Sequence, residues 1–234
     1  MKKIVVAFLF FLGCAVIVVA QEADLRMGFQ VSPTFSFMGT DNGDISGEGV
    51  NLGLKMGVRG EVYFRENYAF LVGLGFAFNS GGTLRYDRSV PGWPWRSQLP
   101  SGVLPSMPSG TDLKYSVQYV EIPVGIKLRT KEIGYLRYFV ELPVITPAFR
   151  SQARGTIEYS GLREERIDIK EDVRALALSW GFGGGLEYSV GGNTALVAGL
   201  GFQRLFTDVS KDYTDDLSSK DHLSGIILQL GMMF

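Results

Sequence analysis

From Leu25 to the C-terminus, large apolar residues recur at every second position in eight separate segments, and nothing else in the chain restricts its fold as much. The segment around residues 176–188 is the clearest. Leu176, Leu178, Trp180, Phe182, Leu186 and Tyr188 share one face, while Ala177, Ser179, Gly181, Gly183, Gly185 and Glu187 share the other. The first segment sets Met27, Phe29, Val31, Phe35 and Phe37 against Arg26, Gly28, Gln30, Ser32, Thr34 and Ser36. Further segments centre on residues 51–62, 70–79, 120–129, 136–145, 196–202 and 226–234. Strands bulky on one face and small or polar on the other divide two different surroundings.

The connections alternate in length. Short ones fall at 65–67, 130–134 and 191–193, and long polar ones at 38–49, 80–112, 151–172 and 208–221. This asymmetry predicts an all-β fold, an eight-stranded antiparallel transmembrane β-barrel in an up-and-down meander, with short periplasmic turns and long outer loops. One domain, residues 21–234, accounts for the whole pattern. The loop 80–112 contains Pro91-Gly92-Trp93-Pro94-Trp95 and is expected to lack regular structure. Exposed there, Trp93 and Trp95 are candidate contacts for an envelope protein or glycan partner; packing against the barrel rim is the alternative.

Volume decides which face is which. An eight-stranded barrel has a narrow interior, too small for some forty bulky side chains, so these must face lipid while glycine, serine and alanine face inward. The inward face also carries charge: Arg26, Lys55, Arg59, Glu61, Glu121, Lys127, Arg129, Arg137, Glu141 and Glu187. A basic residue at the lipid midplane costs about 2 to 4 kcal/mol, so these groups are expected to pair within the lumen as a structural network. A regular hairpin between the fourth and fifth strands would bring Glu121 near Glu141 and Arg137 near Gly125. A lumen filled in this way admits no substrate, and no cofactor or metal is expected.

Lys2 and Lys3 precede an apolar run from Ile4 to Val19 that ends at Ala20, the layout of a cleaved secretory signal peptide over residues 1–20. Cys14 lies inside that run and is expected to leave with it. The net charge of −1 offers no field for nucleic acid. Gly73-Leu74-Gly75-Phe76 and its repeat at Gly199-Leu200-Gly201-Phe202 open no helix, which points to lumen packing and not nucleotide binding. Asp208, Asp212, Asp215, Asp216 and Asp221 lack the residue order of a calcium loop and read as a solvated segment. His222, beside Asp221 and near Ser218, Ser219 and Ser224, raises the alternative of a lipid-modifying enzyme at the outer rim. A rim histidine in a polar loop is usually solvated, so no enzyme is expected; a small pore is the remaining alternative.

Aromatic residues gather at two levels, Tyr63, Phe64, Tyr68, Tyr135 and Tyr188 on the periplasmic side and Phe37, Phe78, Phe149 and Phe206 on the outer side. The run from Ile226 to the terminal Phe234 resembles the signal that outer-membrane proteins present to their insertion machinery. Finally, Tyr119-Val120-Glu121-Ile122-Pro123-Val124-Gly125-Ile126-Lys127-Leu128 resembles the PorT-like outer-membrane β-barrel family. That resemblance implies a barrel in the bacterial outer membrane, in contact with its lipid. For some relatives it also implies a link to assembly of a protein-secretion apparatus. The expected role is a non-enzymatic one in envelope structure or interaction.

Overall fold

The computed structural model describes residues 24–95, 99, 103–211 and 220–234; the expected signal peptide lies outside them. Its strands are β1 (Asp24–Gly39), β2 (Ile45–Glu48), β3 (Asn51–Arg65), β4 (Tyr68–Tyr86), β5 (Thr111–Glu121), β6 (Val124–Arg129), β7 (Leu136–Tyr159), β8 (Leu162–Asp168), β9 (Leu176–Gly191), β10 (Thr194–Leu205) and β11 (His222–Met233). A continuous antiparallel ring runs β1, β3, β4, β5 with β6, β7, β9, β10, β11 and back to β1. β5 and β6 form one side of it, interrupted at Ile122-Pro123 because proline has no N–H to donate. The backbone spans the break: Ile122 N donates to Pro147 O at 2.9 Å, and Gly73 N to Pro123 O at 2.9 Å. At the periplasmic end of the β1–β11 seam Met27 and Phe234 exchange hydrogen bonds of 2.8 and 2.7 Å.

The bulky set faces outward as the volume argument requires: Phe29, Leu74, Phe182 and Leu200 are all about half exposed or more, at 49, 48, 51 and 62%. Inside, backbone approaches leave no room for side chains at some glycines. A Cβ on Gly185 would lie 2.1 Å from Ala198 O and 2.5 Å from Gly199 Cα. No helix of the described residues is long and apolar enough to cross a membrane.

Three details differ from the sequence expectation. In β7 the register shifts between Glu141 and Val144, so Val144 pairs with Gly181 and turns inward while Ile145 pairs with Trp180 and turns outward. In the β6–β7 hairpin Lys127, not Glu121, lies opposite Glu141, and Glu121 lies opposite Ala148, because the chain turns at Gly134-Tyr135, with Ile133 and Leu136 bonded across the turn, later than the expected hairpin requires. Tyr63 points inward and is buried, leaving Phe64 and Tyr68 to the outside.

The outer loops are also more ordered than expected. β4 continues to Tyr86, β5 begins at Thr111, β2 pairs with β4, and β8 folds back on the end of β7. Even between them, Val90 and Met107 exchange two hydrogen bonds of 3.0 Å. The cause is an inversion of hydrophobic phase. At the inner end of β5 the outward residue Val120 is apolar, as is Ile122 just beyond it, but nearer the outer end the inward residues Leu113, Tyr115 and Val117 are the apolar ones and Lys114 and Ser116 face out. β4 achieves the same switch through Asn79, whose φ of 55° marks the irregularity after which Leu84 and Tyr86 turn inward. Where lipid ends and water begins, a strand must bury its apolar face inside the protein.

Candidate functional site

Two regions hold the candidate functional residues: the lumen and the outer cap built by the strand extensions. In the lumen, parity places Glu61, Lys127 and Glu187 on inward positions of three different strands, and all three are buried. Lys127 Nζ donates to Glu61 at 2.5 Å and also contacts Glu187. Arg26 reaches Glu187 at 2.9 Å, and the Tyr63 hydroxyl donates to Glu61 at 2.7 Å. One layer further out, Arg59 pairs with Glu141 at 2.8 Å and donates to Gln30 at 2.7 Å, while Gln229 donates to Glu141 at 3.2 Å. The outermost layer joins Lys55 to Glu121 at 2.9 Å and to Gln203, which donates to Ser179 at 2.5 Å.

Arg26, Lys55, Arg59 and Lys127 are thus matched one for one by Glu61, Glu121, Glu141 and Glu187. Buried charges are tolerable only when paired and further hydrogen-bonded, and each layer meets that condition with tyrosine or glutamine. Between the middle and outer layers a cavity of about 110 Å³ remains, lined by Gln30, Lys55, Arg59, Glu121, Glu141 and Gln229. Three buried atoms of that lining, Arg59 Nε, Glu141 Oε1 and Gln229 Oε1, have no protein partner, which suits a space for a few ordered waters.

Arg129 and Arg137, expected in the same network, lie instead at the periplasmic mouth. The Arg129 guanidinium stacks 3.7 Å from the Tyr63 ring centre and donates through Nε to Glu66 O at 3.2 Å. Arg137 pairs with Glu132 of the neighbouring turn. The position of the β6–β7 turn is the reason: with the chain folding at Gly134-Tyr135, Arg129 and Arg137 lie nearer the turn than Lys127 and Glu141 do.

In the cap, Trp93 and Trp95 are only 7 and 1% exposed, so rim packing and not exposure describes them. Trp93 donates from Nε1 to Leu104 O at 2.7 Å and lies 5.9 Å from the Tyr159 ring. Trp95 meets Tyr115 edge to face at 5.3 Å, and burial pushes the Tyr115 phenol well above its ordinary range. Gly155, which the sequence reading passed over, makes the Trp95 seat possible: a Cβ there would lie 2.4 Å from the indole ring. Met38, Ile45, Leu84, Met107, Ile157, Ile169 and Val209 complete a buried apolar core above the membrane-facing band.

His222 opens β11 at the outer rim and is half-buried. Its neighbour Asp221 is buried and accepts a 2.5 Å hydrogen bond from Ser210. Ser218, Ser219, Asp212, Asp215 and Asp216 lie outside the described residues. Among the described residues no group of three or more histidine, cysteine, aspartate or glutamate side chains is placed to hold a metal.

A closed antiparallel ring with an apolar exterior, a charge-matched interior and polar ends is the architecture of a membrane β-barrel. The chain belongs to the family described as outer membrane protein beta-barrel domain, which it matches over residues 19–211. Its place is the bacterial outer membrane. Among solved structures it is similar to Neisserial surface protein A, with 12% identity over 88% of this chain and 95% of that one and a TM-score of 0.45. It is also similar to the attachment invasion locus protein Ail of Yersinia pestis, with 12% identity, 89% and 98% coverage and a TM-score of 0.41. A third similar structure is the outer membrane protease OmpT from Escherichia coli, with 9% identity, 92% and 97% coverage and a TM-score of 0.39. No curated protein matches the sequence.

Proposed function

We propose that the protein is a non-enzymatic outer-membrane barrel whose folded outer cap contacts another component of the cell envelope. The observation that carries this reading is the cap core: the described parts of the outer loops bury both tryptophans in a shared apolar cluster. The lumen supports it from the other side, because matched ion pairs occupy most of the interior around a cavity of only about 110 Å³. The resemblance of residues 119–128 to the PorT-like family favours a partner belonging to a secretion apparatus.

One contact surface open to a partner is the free edge of β8, which pairs only with β7. It carries Arg163, Glu164, Glu165 and Arg166, with Arg163 bonded to Glu165 at 2.7 Å. Such charge discourages unselective strand pairing and leaves a polar partner as the occupant. A photo-crosslinking residue at position 164 in intact cells is expected to give one discrete protein adduct, while the same residue at position 66, in a periplasmic turn, does not give that adduct. Identical patterns from both positions, or no adduct from β8, would contradict the reading.

A further inference from the structure

Between the periplasmic strand ends and the cap extensions, the outward face of the spanning strands holds one charged side chain among the described residues, Arg204 of β10. Its direction is fixed by its neighbour: Gln203 points inward, bonded to Lys55 and Ser179, so Arg204 must point to lipid. In register it lies between Trp180 on β9 and Ser224 on β11, with Phe202 and Phe206 on its own face. Among the described residues it has no ion pair and no hydrogen bond. That isolation contrasts with the lumen, where every arginine and lysine of the three layers is matched.

An unpaired guanidinium near the bilayer centre would cost about 2 to 4 kcal/mol, falling to about 0 to 1 near the interface. Arg204 stands one outward-facing position inside Phe206, at the outer aromatic level, so its long side chain reaches the headgroups by extending outward. There, arginine's planar fork matches a phosphate with two parallel hydrogen bonds. Acyl chains would lie along the adjoining aromatic wall, in which Trp180 and Phe202 meet at 6.1 Å and 69° and Phe182 and Phe202 at 5.7 Å. On β11, His222 is two residues further out than Ser224 and on the same face, where its ring N–H can serve as a second donor.

We propose that Arg204, with His222 beside it, binds a phosphate group of lipid A in the outer leaflet. The site is at the outer end of the barrel, on the leaflet whose anionic lipid is lipid A, and it is independent of whatever the cap contacts. The purified barrel would be tested by native mass spectrometry with bisphosphorylated lipid A, its dephosphorylated form and phosphatidylglycerol. Wild type is expected to retain bisphosphorylated lipid A best. R204Q lowers that retention about tenfold, as loss of a charge-assisted phosphate contact implies, and R204K lowers it less. The heat-dependent gel shift of each variant reports that it is folded, and R204K carries the same comparison should glutamine disturb insertion. Equal retention by wild type and both variants would overturn the proposal. So would retention of dephosphorylated lipid A or of phosphatidylglycerol as strong as that of bisphosphorylated lipid A.

Discussion

Lys127 shows how much rests on single residues in a lumen this narrow. It separates Glu61 from Glu187, and only Arg26 and Tyr63 otherwise offset those carboxylates. Replacing it with methionine keeps the volume but leaves two buried acids short of a cation. The expected loss is about 3 to 5 kcal/mol, read as a lower urea midpoint for unfolding from lipid vesicles. That these residues face inward was legible in the sequence, because parity alone decides it. Which acid meets which base was not. Glu121 and Glu141 looked like neighbours on a regular hairpin, yet the connection after Arg129 and the shift at Val144 send one to Lys55 and the other to Arg59. Arg129 and Arg137 left the network for the same reason. A residue's face depends on one strand, whereas its partner depends on the turn and on every bulge between.

At the level of strands, the eight spanning segments could be read directly, since each presents a long apolar face to lipid. The outer extensions could not. Beyond Asn79, and above Tyr119 in β5, apolar and polar positions exchange faces, so a search for one continuous stripe stops at the membrane boundary and reports a loop. The proline-rich stretch around Trp93 and Trp95 strengthened that impression, although both indoles are buried. Replacing Trp95 with alanine empties the centre of the cap and removes its contacts with Tyr115 and Gly155. A buried tryptophan truncated in this way costs about 3 to 5 kcal/mol, here confined to the cap. Limited proteolysis of the variant in membranes is expected to give new cleavage between residues 80 and 112 while the heat-dependent gel shift of the ring is unchanged. Wild-type resistance in that segment would mean the tryptophan does not hold the cap together.

For the molecule as a whole, the account depends on which way the two faces of the ring point. Bulky side chains outward explain the half-exposed phenylalanines and leucines, the glycines pressed against neighbouring backbone, and the four-against-four charge match inside. The only cysteine of the sequence is Cys14, in the expected signal peptide, so single cysteines can be placed along β4 without interference. Spin labels at positions 70 to 77, with the protein in a lipid bilayer, would report collisions with oxygen, which concentrates in hydrocarbon, and with a water-soluble nickel chelate. The account predicts high oxygen accessibility at 70, 72, 74 and 76, low accessibility to both reagents at 71, 73, 75 and 77, and a strict period of two between them. High oxygen accessibility at the odd positions, or nickel accessibility at the even ones, would contradict it.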